Sequence, residues 1–136
     1  MTAERWRPGD PVNWERPGKL LTAGGLHAFV LETTGARTAD QRRAVLGYLE
    51  DGPDAWLVIG SKGGAERNPA WVHNLRKHPD ATVVLADGER VRARAEQLSG
   101  DELDAAWERI AVEAPEYAAY RSRTSRAIPV IRLRRR

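Results

Sequence analysis

The sequence predicts an α+β chain that is mostly β: a small, partly open antiparallel barrel with helices packed outside it. Short apolar runs with strand-like alternation are separated by Asp51-Gly52-Pro53-Asp54 and Asp87-Gly88, turns too short for the crossovers that parallel pairs require. Only a few stretches carry helical periodicity, the clearest being Leu103, Ala106, Trp107, Ile110 and Ala111 on one stripe. The length of 136 residues is that of a single domain, able to bury a core without metal or disulfide.

Taken in order, residues 1–18 are rich in Pro, Trp and charge and lack a helical period, which predicts an irregular N-terminal arm ahead of one domain at 19–136. His27 to Thr34 is β-prone, Gly35 to Gln41 is a polar turn, and Arg43 to Glu50 alternates as a strand. Asp51 to Asp54 turns the chain and Ala55 to Gly60 returns it, completing an antiparallel meander. A helix is expected from Asn68 to about His78, with Asn68 as N-cap, Pro69 at the first helical position and Pro79 as the stop. Ala81 to Ala86 and Glu89 to Leu98 then pair across Asp87-Gly88. Ser99 to Glu102 has capping-box spacing and opens a core-facing helix. Pro115 starts a shorter helix carrying Tyr117 and Tyr120, and Ala127 to Ile131 reads as a last strand whose Pro129 favours an edge or a first position.

Composition removes several chemistries. Without cysteine there is no thiolate catalysis, no disulfide and no cysteine-bound metal, in keeping with a reducing cytoplasm. The three histidines, His27, His73 and His78, have no metal-site spacing, and HExxH and G-x-S-x-G are absent, so neither a metal centre nor hydrolysis is supported. The formal charge of +3 is modest but concentrated in Arg90 to Arg94 and Arg132 to Arg136, which read as solvated edges and tails or as sites for a polyanion. No apolar run approaches membrane-spanning length and the N-terminus lacks a signal-peptide core, so a soluble chain is expected.

The most informative stretch is Ser61-Lys62-Gly63-Gly64-Ala65-Glu66-Arg67-Asn68-Pro69-Ala70-Trp71, after the apolar run Trp56 to Ile59. Strand, glycine turn and helix in that order form either an anion cradle or a plain turn with a solvated lysine. The cradle would consist of converging backbone N–H groups, the Lys62 charge and the positive end of the helix. Phosphate is the natural guest. Trp71 either walls a groove or packs in the core.

Leu31-Glu32-Thr33-Thr34-Gly35, Leu49-Glu50-Asp51-Gly52, Ser61-Lys62-Gly63-Gly64, Asn68-Pro69-Ala70-Trp71, Asn74-Leu75, His78-Pro79 and Ser125-Arg126-Ala127-Ile128-Pro129 together resemble the deazaflavin-dependent nitroreductases, quinone and nitro reductases that use coenzyme F-420. The resemblance spans roughly residues 20 to 133 and implies a split β-barrel of the flavin-mononucleotide-binding type. It implies a groove in which the flat ring of the 8-hydroxy-5-deazaflavin lies against the barrel while its phosphate and oligoglutamate tail meet basic residues. By position, Lys62, Gly63 and Gly64 would hold the phosphate region with Asn68 and Trp71 nearby. Arg37, Thr38, Arg42 and Arg67 would face the tail, and Ser61, Tyr117 and Tyr120 would lie beside the acceptor. One turn departs from the family pattern: after Gly35 a basic residue, a second glycine and a proline are usual, where this chain has Ala36, Ala39 and Gln41.

A reduced deazaflavin gives up a hydride, so the protein must align the acceptor and donate hydrogen bonds where negative charge develops. Ser61 and the i, i+3 pair Tyr117 and Tyr120 have the hydroxyls for that, unless the tyrosine rings belong to the core. The expected function is hydride transfer from reduced coenzyme F-420 to a quinone, an enone or a nitro compound. The alternatives are a flavin-mononucleotide reductase in the same barrel and a non-catalytic cofactor-binding module. The expected partner is a small quinone-like acceptor and not nucleic acid. A homodimer is compatible with an open barrel, and the Trp- and Arg-bearing arm is a candidate for weak contact with the inner face of the cell membrane.

Overall fold

The computed structural model describes residues 5–136. Eight strands and three helices run in the order β1 (Arg5–Trp6), β2 (Leu20–Thr22), β3 (His27–Thr34), β4 (Gln41–Glu50), β5 (Ala55–Ile59), α1 (Ala70–Lys77), β6 (Asp80–Val84), β7 (Arg90–Gln97), α2 (Gly100–Glu113), α3 (Pro115–Ser122) and β8 (Val130–Arg135), with a 3-10 turn at Lys62–Gly64 between β5 and α1. The sheet order is β1-β2-β3-β4-β5-β8-β7-β6, and β6 also pairs with β3, so strands β3 to β8 close into a six-stranded antiparallel barrel.

Closure depends on a register of only a few pairs, Val30 opposite Val84, Leu31 opposite Val83 and Glu32 opposite Thr82. Inside the barrel, Phe29, Leu31, Trp56, Val58, Val83, Ile131 and Leu133 pack with Trp71, Val72 and Leu75 of α1, which plugs one end. The opposite faces of β5 and β8 are also buried. Leu57, Ile59 and Val130 meet Trp107 and Ile110 of α2 and Tyr117 of α3. That two-sided burial is why β5 reads as an unbroken apolar run.

The meander and the β6–β7 hairpin fall where the alternation places them, with Gly88 at φ 92 in the turn. Several local expectations are corrected. Helix α1 begins at Ala70 with Pro69 in the cap position, because the Asn68 side chain accepts a hydrogen bond from Arg126 (2.6 Å) instead of capping. Ser99 is the N-cap of α2 but makes no side-chain cap bond, and its expected partner Glu102 accepts from Arg132. Ala111 faces solvent, so the buried stripe ends at Ile110.

The last strand is Val130–Arg135, further along than the Ala127 to Ile131 run, and it lies between β5 and β7, not at an edge. Pro129 precedes it. The arginines of the C-terminal run therefore alternate outward from a central strand, where Arg132 pairs with Asp51 (2.7 Å) and Glu102 (2.8 Å), and Arg134 with Glu96 (2.9 Å).

The N-terminal arm, expected to be irregular, contributes β1, which runs parallel to β2. It crosses the barrel as a strap. Arg5 pairs with Glu116 of α3 at one end, and at the other Arg16 donates to the Asp87 carbonyl and the Gly18 N–H to the Ala86 carbonyl. Among the described residues no helix is long and apolar enough to cross a membrane.

Candidate functional site

The strap, the outer face of β4, the loop after β5, the start of α1 and the face of α3 enclose a compartment of about 720 Å³. Its walls are Trp6 and Trp14 from the strap, Trp71 from α1, Tyr117 and Tyr120 from α3, and the β4 segment Arg43 to Gly47, with Ser61 and Lys62 at the strand end. These are flat, mainly apolar walls with a few hydroxyls, the lining expected for a planar conjugated ligand. The indole N–H of Trp6 is buried without a partner. The two strap tryptophans thus line a cavity and do not form an outward interfacial face.

The loop after β5 is shaped by close approaches. A side chain at Gly60 would meet Pro129 and Val72 at 2.9 Å, and one at Gly64 would stand 2.8 Å from the Tyr120 carbonyl oxygen. Lys62 itself sits at φ 46, in the left-handed region that disfavours a side chain. Arg126 holds this conformation: its guanidinium donates to the carbonyls of Gly60 (3.0 Å), Ser61 (2.8 Å) and Ala65 (2.7 Å) and to the Asn68 side chain. Burial lowers the pKa of Arg126, though not enough to discharge a guanidinium.

Tyr117 is locked. Its ring lies against Gly24, leaving no room for a Cβ there, and its hydroxyl lies against Gly47, 2.8 Å from where a Cβ would stand. That hydroxyl shares a hydrogen bond with Thr22 Oγ1 at 3.0 Å, and desolvation raises its pKa above 10.0. Tyr120 stands edge to face with it at 5.3 Å, partly exposed, with the Arg123 guanidinium over its ring.

A second compartment of about 700 Å³ adjoins the first. The two share Arg43, Ala44 and Trp71. Its lining includes cationic and polar side chains: Arg37 and Thr38 from the turn between β3 and β4, Arg42 from the start of β4, and His73 and Asn74 from α1. The turn is pinned by backbone bonds between Gly35 and Asp40 (2.7 Å) and between Ala39 and Gly35 (3.0 Å), and by Asn74, which accepts from the Ala36 N–H and donates to Thr33 Oγ1. Arg37 and Arg42 make no ion pair among the described residues, whereas Arg43 leans on the buried Glu32 at 3.4 Å. Asp40 is exposed and is not among the residues that line the compartment.

Of the residues singled out in the sequence, Ser61, Lys62, Trp71, Tyr117 and Tyr120 come together in the aromatic compartment and Arg37, Thr38, Arg42 and Trp71 in the cationic one. Gly64, Arg67 and Asn68 line neither. Gly64 admits α3, Arg67 is exposed, and Asn68 serves Arg126. Gly63 lies in the 3-10 turn. Sequence reasoning passed over Arg43, His73, Asn74, Trp6 and Trp14 as lining groups and Arg126 as the loop clamp. Asn74 and Arg126 stood inside the quoted motifs and were the findable ones. Among the described residues no cluster of His, Cys, Asp or Glu could hold a metal ion.

Known proteins resemble this chain in sequence and in fold. The family described as F420H(2)-dependent quinone reductase matches residues 15–134. An F420H(2)-dependent quinone reductase of Mycobacterium tuberculosis (strain ATCC 25618 / H37Rv) is 40% identical over 116 residues, covering 83% of this chain and 76% of the relative. The solved structure of an F420-H2 dependent reductase superposes with a TM-score of 0.68 at 28% identity, over 78% of this chain and 92% of that one. Another solved chain, described as a domain-swapped dimer, gives 0.69 at 28% identity, over 78% of each chain.

Proposed function

The chain belongs to the F420H(2)-dependent quinone reductase family, and from that premise we propose that it binds the deazaflavin ring in the aromatic compartment and the anionic tail in the cationic one, and reduces a quinone there. It is an oxidoreductase, and its cofactor is coenzyme F-420. The observation that carries the placement is the adjacency of two compartments, one walled by aromatic rings and the other bearing Arg37 and Arg42, which share Arg43, Ala44 and Trp71. A flat ring with a polyanionic tail matches both compartments. Flavin mononucleotide ends in one phosphate and would leave Arg37 and Arg42 without a counter-charge.

When bound and reduced, the cofactor supplies the hydride. The protein supplies the rest. Trp71 and the outer face of β4 hold the ring, Lys62 offers a charge at the compartment wall, and the strap tryptophans exclude water. As the acceptor is reduced, negative charge grows on its oxygen, and a hydroxyl of Tyr120 or Ser61 donates to it before a proton arrives from water. Tyr117, already bonded to Thr22, positions Tyr120. The solved relative described as a domain-swapped dimer supports a homodimer, which light scattering on the purified protein tests.

Anaerobic mixing of the protein with reduced coenzyme F-420 and a soluble naphthoquinone, followed by absorbance of the reoxidised cofactor, tests the function. The expected result is protein-dependent reoxidation that saturates in both reactants. Reoxidation no faster than without protein overturns it, and equal turnover with reduced flavin mononucleotide overturns the tail assignment.

A further inference from the structure

Arg43 is the one charged side chain common to both compartments. It projects from β4, where its register partner on β3 is Glu32. The Glu32 side chain is only 4% exposed, yet it carries a carboxylate, which a buried site tolerates only with close counter-charges. It has two: Arg43 at 3.4 Å and Arg90 of β7, which donates to both carboxylate oxygens. Arg90 alone satisfies Glu32 bidentately, the strong arrangement for that pair. Arg43 is therefore held in place by Glu32 and still 39% exposed on the groove side. Arg90 is matched by Glu32, and Arg43 therefore presents its charge where the aromatic and cationic compartments share lining residues.

We propose that Arg43 is a cofactor-binding residue that grips the anionic linker of the bound deazaflavin where it passes from one compartment to the other, and that Glu32, braced by Arg90, is the positioning residue that aims it. This rests on the placement of ring and tail argued above. The chemistry recognised is a phosphodiester oxygen, for which a guanidinium fixed on its far side offers free N–H donors without reordering. No bond is made or broken in this role, and the site adds nothing to the hydride step directly.

The test is equilibrium binding of oxidised coenzyme F-420, and of an analogue cut back to the ring and its ribityl chain, by fluorescence. Wild type, Arg43→Ala, Arg43→Lys and Glu32→Gln are compared, with thermal melts to follow folding. Arg43→Ala should weaken the intact cofactor about 10- to 100-fold, the range for a charge-assisted bond, and leave the analogue within about 2-fold. Arg43→Lys should recover part of the loss at low salt, since it keeps the charge and loses the fork. Glu32→Gln should weaken the intact cofactor less than Arg43→Ala and again spare the analogue. Intact cofactor bound by Arg43→Ala as tightly as by wild type, or intact and cut-back forms weakened alike, overturns the proposal while leaving the functional reading in place. Wild type that binds neither form overturns both.

Discussion

Tyr117 and Tyr120 lie one helical turn apart and touch edge to face, yet their surroundings assign them different work. Tyr117 is buried, clamped between Gly24 and Gly47, and its hydroxyl is engaged with Thr22. Tyr120 lines the same compartment partly exposed. Tyr120→Phe is therefore expected to lower kcat about 100- to 1,000-fold with little change in cofactor affinity, the loss typical of one donor to developing charge. Tyr117→Phe should cost about 1 kcal/mol of stability and alter kcat by a smaller factor. Single-turnover reoxidation beside chemical denaturation separates the two, and the reverse pattern would exchange their roles. Two residues at positive φ sharpen the picture. Ala39 sits at φ 61, at the position where the family pattern has its second glycine, so Ala39→Gly should stabilise the turn, by about 0.5–1 kcal/mol once the extra freedom of the unfolded chain is subtracted. Lys62, at φ 46, should behave oppositely for function: Lys62→Gly relieves the backbone while weakening cofactor binding about 10-fold, because the cation is lost.

At the scale of elements, the loop from Gly60 to Asn68 has little regular structure of its own, and its shape comes from a single side chain on the segment after α3. Arg126 reaches three carbonyls and one amide oxygen of that loop. Lysine has neither the planar fork nor the reach in several directions, so Arg126→Lys should leave carbonyls unmatched and cost about 2 kcal/mol or more. Urea denaturation would show this, and a cofactor titration should show weaker binding, because Ser61 and Lys62 are both carried on this loop. An unchanged melting point would mean that the loop holds itself. The turn between β3 and β4 is fixed in a similar way from α1, by Asn74 bonded to Ala36 and Thr33, which couples the cationic compartment to the helix that plugs the barrel.

For the whole molecule, the charge that looked like a basic surface is largely neutralised across strands. Arg132, Arg134, Arg109 and Arg90 each have a carboxylate partner, and among the described residues Arg37, Arg42 and Lys62 line the groove without an ion pair. Cofactor affinity should accordingly fall with added salt while overall stability changes little, because the counter-charges of the tail are exposed and screened. Stability has a pH limit on the alkaline side. Burial raises the pKa of Tyr117, and of Tyr48 on β4, above 10.0. A raised folded-state value means stability that is fully present below pH 10 and lost as pH rises through the folded value, since the unfolded chain ionises first. Melting temperature should decline above pH 10, and Tyr117→Phe should flatten that decline; an unchanged slope would assign the loss to other groups.

The sequence by itself determined the local elements, and for physical reasons confined to neighbouring residues. His27 to Thr34 is β-prone, Asp87-Gly88 admits a tight hairpin through Gly88, and Leu103 to Ile110 keeps a helical stripe. The quoted motifs likewise sufficed for the family and for most of the groove, because Lys62, Trp71, Arg37 and Arg42 lie in short segments whose neighbours set their direction. What only the tertiary structure decided depends on partners far along the chain. Closure rests on β3 meeting β6, the central place of β8 on its pairing with both β5 and β7, and the caps of α1 and α2 on Arg126 and Arg132 drawing off the side chains of Asn68 and Glu102. A cap bond and a long-range hydrogen bond from an arginine compete for the same oxygen. Local spacing shows only the first competitor, so the sequence predicts a capped helix where the fold has chosen a clamp.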